Sequence, residues 1–121
     1  MYYKGTDMKK FDKDKKYVMK DTNQYKLNMY FFRHVRSMSS DDETIYEHVF
    51  PVYRYHAAVT LEARLLLWQE TGEIRVDVFD AGSKGCYGPW YYDESGAHDK
   101  INDIINKNIA KEMKKLDIRA I

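Results

Sequence analysis

Two apolar runs on either side of a short polar turn constrain this chain more than anything else in it. Residues 59–69 read VTLEARLLLWQ, residues 70–73 ETGE, and residues 74–80 IRVDVFD. Val59, Leu61, Ala63, Leu65 and Leu67 occupy alternate positions, and so do Ile74, Val76 and Val78. A period of two marks strands with one buried face, and Gly72 can take the positive φ of a tight turn. A loop centred on Thr71-Gly72 pairs Leu67 with Val76 and Leu65 with Val78. The opposite face then holds Trp68 beside Arg75 and Arg64 beside Phe79. A slip of one residue would turn every side chain over, so burial fixes which face is which. Residues 56–69 also contain good helix formers. The strand is preferred because Ile74–Phe79 needs a neighbour to pair with.

The length of 121 residues suits one domain with its own core. We divide it into a basic N-terminal segment (1–25), a β-rich core (26–97) and a helix (98–116). The net charge of +1 hides a division along the chain. Residues 1–26 carry eight lysines and four aspartates, whereas residues 27–97 carry six basic and eleven acidic groups. Nucleic-acid capture by charge alone calls for a more basic domain than this. No apolar run reaches the roughly 20 residues that cross a bilayer, and the first residues, MYYKGTDMKK, hold no signal-peptide core. With one cysteine and no disulfide framework, the expectation is a cytoplasmic protein without membrane contact.

Along the chain, FDKDKKYVM (residues 11–19) reads as two short edge strands around Asp12-Lys13-Asp14-Lys15, with lysines discouraging stray pairing. YKLNMYFFRHVR (residues 25–36) reads as a strand. Its outer side, Tyr30, Phe32, His34 and Arg36, interleaves rings with cations as a base-stacking platform would. Residues 41–49 fit either a short helix behind a capping box at Ser40 or, preferably, a strand over Thr44–Phe50 returning beside Leu27–Arg36. Asp99–Leu116 is the clearest helix. Ile101, Ile104, Ile105, Ile109, Met113 and Leu116 recur at steps of mostly three and four, Asp99 is the expected N-cap, and Lys111, Lys114 and Lys115 suit the C-terminal end. Residues 117–121 read as a loose tail. Strands followed by a helix give an α+β fold, an antiparallel sheet of about four to five strands covered by one C-terminal amphipathic helix.

The chemistry-bearing residues form no catalytic or metal-binding signature. The four histidines share no ligand spacing, and His56 and Cys86 have no telling partner. Asp41, Asp42, Glu43 and Glu47 lack the spacing of a calcium loop. The expectation is therefore no enzyme activity, no metal and no cofactor. Tyrosine is the departure from average, with 11 residues beside five Phe and two Trp, and such side chains favour binding surfaces. The expected docking surface is Tyr87, Trp90, Tyr91 and Tyr92 in the Gly-rich stretch 81–97, with Trp68 and Arg75 from the hairpin. The alternative is nucleic-acid or nucleotide binding through Tyr30, Phe32, Arg33, Arg36 and Lys84. Self-association is left open. In size, lysine content and lack of motifs the chain is similar to small accessory proteins of phages and other mobile elements. That likeness implies an inhibitor of a partner protein such as a bacterial defence nuclease.

Overall fold

The computed structural model describes residues 10–56, 59–81, 86–87 and 91–121. The elements run β1 (Tyr17–Met19), α1 (Gln24–Met29), β2 (Arg33–His34), a 3-10 turn (Arg36–Met38), β3 (Ile45–His56), β4 (Val59–Trp68), β5 (Glu73–Asp80), β6 (Cys86–Tyr87), α2 (Asp99–Lys115) and β7 (Ile118–Ala120). The fold is α+β, an open antiparallel sheet in the order β2-β3-β4-β5-β1-β7, with β6 beside the far end of β5. Six strands lie in the row where four or five were expected. The additional strand is β7, in the segment read as a loose tail. Its Ile118 is buried and its residues pair with Tyr17–Met19.

The β4–β5 hairpin keeps the expected faces but a different register. Leu67 pairs with Ile74, Leu65 with Val76 and Ala63 with Val78, a shift of two residues that leaves every side chain on its side of the sheet. Gly72 sits at φ 79°, and a Cβ there would lie 2.6 Å from the Met19 carbonyl oxygen. Its own carbonyl accepts the Met19 N–H at 2.8 Å. The turn glycine thus serves to seat β1 as well as to reverse the chain. β1 is consequently an interior strand between β5 and β7 where an edge was expected; residues 12–15 form the expected turn ahead of it, and residues 10 and 11 are not in a strand.

Pro51 lies within β3. The Ile45 carbonyl accepts from Val35 N–H at 2.8 Å, so the odd positions of β3 turn their main chain toward β2. β2 pairs only with Tyr46 and Glu47. Pro51 therefore places its missing N–H on a stretch with no strand beside it among the described residues.

The core lies between α2 and one sheet face. Ile105, Ile109 and Met113 of the helix join Tyr46, Phe50, Val52, Leu61, Ala63, Leu65 and Leu67 from the central strands. Polar contacts fix the helix in place: Asn108 donates to the Val52 carbonyl at 2.7 Å, and His48 Nε2 lies 2.6 Å from Glu112 Oε2. Ile104 of the expected stripe is exposed, and Ala110 is buried in the helix instead. The residue before the helix is His98, which makes no side-chain cap, while Asp99 is its first residue. Among the described residues, no helix is long and apolar enough to cross a membrane.

Residues 25–36 depart most from expectation. In place of one strand they hold most of a short helix, a reversal and two residues of strand. Asn23 caps the helix by accepting the Lys26 N–H at 2.9 Å. At the other end Phe32 N–H donates to the Leu27 carbonyl at 2.9 Å and Phe31 N–H to the Asn28 carbonyl at 3.2 Å. This is the Schellman pattern, and Leu27 and Phe32 make its apolar closure inside the core.

Candidate functional site

Two surfaces emerge from this frame. The first is a cleft of about 770 Å³ on the outer edge of β5, between β1 and β6. Phe11, Tyr17 and Val76 supply apolar surface, Lys13, Lys15 and Lys16 supply charge, and Arg75, Tyr91 and Tyr92 complete the lining. The turn at residues 12–15 aims the lysines: Lys15 N–H bonds the Asp12 carbonyl, and Asp14 N–H bonds Asp12 Oδ1 at 2.9 Å. Lys13 Nζ reaches the Tyr91 carbonyl at 3.3 Å and lies 4.7 Å from the Tyr91 ring centroid.

Among the described residues, the cleft gathers Arg75, Tyr91 and Tyr92 of the expected docking surface but not Trp68, and it separates their roles. Tyr91 is only 2 % exposed. Its hydroxyl donates to Asn106 Oδ1 at 2.8 Å, and burial, with Tyr92 beside it, pushes that phenol well above its ordinary range. It is a core residue that ties the 91–98 loop to α2, so its ring is not a free contact surface. Burial also raises the Tyr17 phenol, whose oxygen accepts the Asp12 N–H. Tyr92 is 40 % exposed, and its hydroxyl accepts the Val78 N–H at 3.1 Å. Trp90, Lys84 and the side chain of Tyr87 lie outside the described residues.

Trp68 and Arg75 sit on the sheet face turned away from α2. The Arg75 guanidinium lies 4.6 Å from the Trp68 ring centroid, the contact expected from the hairpin, although Arg75 is directly opposite Leu66. Beside it runs a row of charges. Arg33 is bonded to Glu47, Arg64 Nη1 lies 3.8 Å from Glu47, and Arg64 Nη2 lies 2.9 Å from Asp77. Glu47 is 7 % exposed because two arginines cover it, which removes it from the acidic cluster of residues 41–43. Among the described residues, no three acidic or imidazole side chains converge as a metal site would require.

The proposed stacking platform of Tyr30, Phe32, His34 and Arg36 does not form, and Arg33 of the alternative nucleic-acid site does not join it; the His34 ring lies 5.4 Å from that of Tyr46. Phe32 is buried and Tyr30 packs against the core, while Arg33 is bound to Glu47 and Arg36 lies in the 3-10 turn. The alternation that suggested a platform is broken by the reversal at Phe31.

The second surface is one that periodicity missed. Tyr25 and Met29, four residues apart on α1, are both exposed, and Phe31 beyond them is 85 % exposed. Phe31 has φ 61°, the left-handed position of the Schellman turn that glycine or asparagine ordinarily takes. A bulky residue there costs on the order of 1–2 kcal/mol. The ring recovers little of this by packing, since it projects into solvent. The equivalent position after α2 is held by Asp117, at φ 58°, a residue type that tolerates the left-handed region better. The sequence signal was Asn23 as a cap placed ahead of QYKLNM.

The chain matches no protein-family model, no curated protein and no solved structure.

Proposed function

We propose that this is a non-catalytic binding protein that engages a partner protein through the projecting side chains of Tyr25, Met29 and Phe31. The observation that carries the reading is Phe31, a large apolar ring held in solvent at a backbone position where glycine is cheaper. Strain of this kind persists where something other than the isolated fold benefits from it. Aromatic residues and methionine are the side chains that interface centres favour, and a ring set in a partner's pocket is a common anchor. Tyr25 and Met29 extend the knob along the helix, and the core anchors Leu27 and Phe32 hold its base rigid, which reduces the entropy lost on docking. No described residue favours a defence nuclease over any other partner. The test is a pull-down from the natural host with the wild-type chain and with Tyr25→Ser/Met29→Ser/Phe31→Gly. A partner retained by the wild type and lost from the folded triple variant supports the proposal. Equal recovery by both chains overturns it.

A further inference from the structure

The outer face of α2 shares no residue with that knob, and its chemistry is different. We propose that it binds the phosphate backbone of a nucleic-acid duplex, without reading sequence, through the row Lys100, Lys107, Lys111 and Lys114 together with Lys10. The row follows from helical spacing. Steps of seven, four and three residues keep these lysines in one narrow stripe, and all of them are exposed. Ile105, Ile109 and Met113 occupy the opposite, buried side of the helix. From Lys100 to Lys114 the row runs about 21 Å, at a rise of 1.5 Å per residue.

The fold gathers charge that the sequence holds apart. Residues 98–121 carry six basic groups against four acidic ones, so both ends of the chain are basic and the centre is acidic. β1 pairs with β7, and Phe11 N–H donates to the Asn106 carbonyl at 2.9 Å, which folds the two ends together. They meet at Asp103, whose carboxylate lies 2.9 Å from Lys107 and 3.9 Å from Lys10. The Lys107 hydrogen bond, with Lys10 beside it, holds that carboxyl below its ordinary range. Two ammonium groups on one carboxylate leave a positive surplus at the junction. Glu112 is bonded to His48 and lies 3.9 Å from Lys115, and Asp99 stands in the first turn, where the helix dipole favours an acid. Among the described residues, Lys100, Lys111 and Lys114 make no ion pair. Glu47, Glu62, Glu73 and Asp77 lie on the sheet face turned away from α2. Outside the described residues the chain has one acidic group, Asp7, against Lys4, Lys9 and Lys84, so the sign of this side is set by the residues named. The net charge of +1 therefore averages a basic side and an acidic one, and a polyanion is steered to the first.

The composition of the face decides which polyanion fits. Lysine is depleted at the centres of protein interfaces. A helix that settles on a bilayer sinks an apolar side into it, whereas that of α2 is sealed in the core and Ile104 alone interrupts the exposed lysines. Single-strand binders add rings on which bases stack, and the row holds none. Lysines act as point charges on flexible stems, which suits the closely spaced phosphates of a duplex. Contacts of this kind position a protein on a duplex and carry no sequence information.

The test is fluorescence anisotropy of a labelled, mixed-sequence DNA duplex titrated with the full chain. Affinity is expected to fall on the order of a hundredfold between 50 and 200 mM salt, as about four neutralised phosphates require. Lys107→Gln/Lys111→Gln keeps good helix formers in place and is expected to weaken binding at least fivefold at 50 mM salt, with roughly half the salt dependence. Arg36→Gln/Arg75→Gln removes as much charge away from the row and is expected to cost less than twofold. The proposal is overturned by absence of binding at 50 mM salt, by equal losses in the two double variants, by an oligothymidylate strand binding tighter than the duplex, or by polyglutamate or phosphatidylserine vesicles binding tighter than either.

Discussion

Tyr91 and Phe31 are both aromatic residues in short connections at the border of the sheet, and the fold treats them in opposite ways. Tyr91 is sealed, with its hydroxyl on Asn106 and its carbonyl holding Lys13. Phe31 is turned outward by a left-handed backbone that the helix ending imposes. The difference lies in the neighbours. Helix α2 runs past Tyr91 and gives its polar tip a partner, whereas Leu27 and Phe32 complete the apolar closure around Phe31 and leave its own ring no place in the core. Aromatic content alone therefore does not locate a binding surface. What matters is whether the main chain leaves a ring inside or outside the closure it helps to make.

The largest effect should come from emptying the sealed position. Tyr91→Ala is expected to destabilise the fold by about 3–5 kcal/mol, as large-to-small core changes do, measured by urea unfolding. A cost under about 1 kcal/mol would place Tyr91 with the exposed rings. Tyr91→Phe isolates the hydroxyl and should cost about 1–2 kcal/mol, because Asn106 Oδ1 loses its donor. The same pair gives a pH test. The folded chain holds the Tyr91 proton to higher pH than the unfolded chain, where the phenol titrates at its ordinary value of 10.0. The native state thus binds more protons above that pH, and stability falls as pH rises beyond 10. Tyr91→Phe should flatten the fall, and an unchanged alkaline slope would contradict the assignment.

At the open position the sign reverses. Phe31→Gly is expected to raise stability by roughly 1 kcal/mol, since glycine adopts positive φ without a Cβ clash. A destabilisation of that size would mean that the ring packs after all. The smallest effect belongs to a control outside both regions. Glu70 accepts the Thr44 N–H at 2.9 Å, and this bond holds its carboxyl below the ordinary 4.5. Its contribution is present above that pH and is lost as pH falls through the folded value. Glu70→Gln should therefore lessen the acid dependence of unfolding slightly while leaving the alkaline side untouched.

Much of this frame was legible in the chain. The period of two in β4 and β5 named the buried face correctly, because burial specifies a face strongly. It specified the register less well, since a shift of two residues preserves the face and only the turn can settle it. The apolar stripe of α2 was legible for the same reason, with Ile104 as its exception. Residues 25–36 misled because Leu27, Met29, Phe31 and Val35 mimic a strand, and only the cap at Asn23 argues otherwise. β7 could not be read from Ile118–Ala120 alone, because three residues carry no period and their pairing depends on where α2 ends. Of the expected site, Arg75 and Tyr92 lie in one cleft and Trp68 is stacked against Arg75. The burial of Tyr91 depends on Asn106, 15 residues away, and no local pattern reveals it.

The account rests on Phe31 being held outward for a partner, and one variant tests this most directly. The Phe31→Gly chain should be measured for thermal midpoint and for recovery of the host partner in the same preparation. The account predicts a midpoint equal to or above that of the wild type together with loss of the partner. Full partner recovery by an equally stable or more stable chain would contradict it.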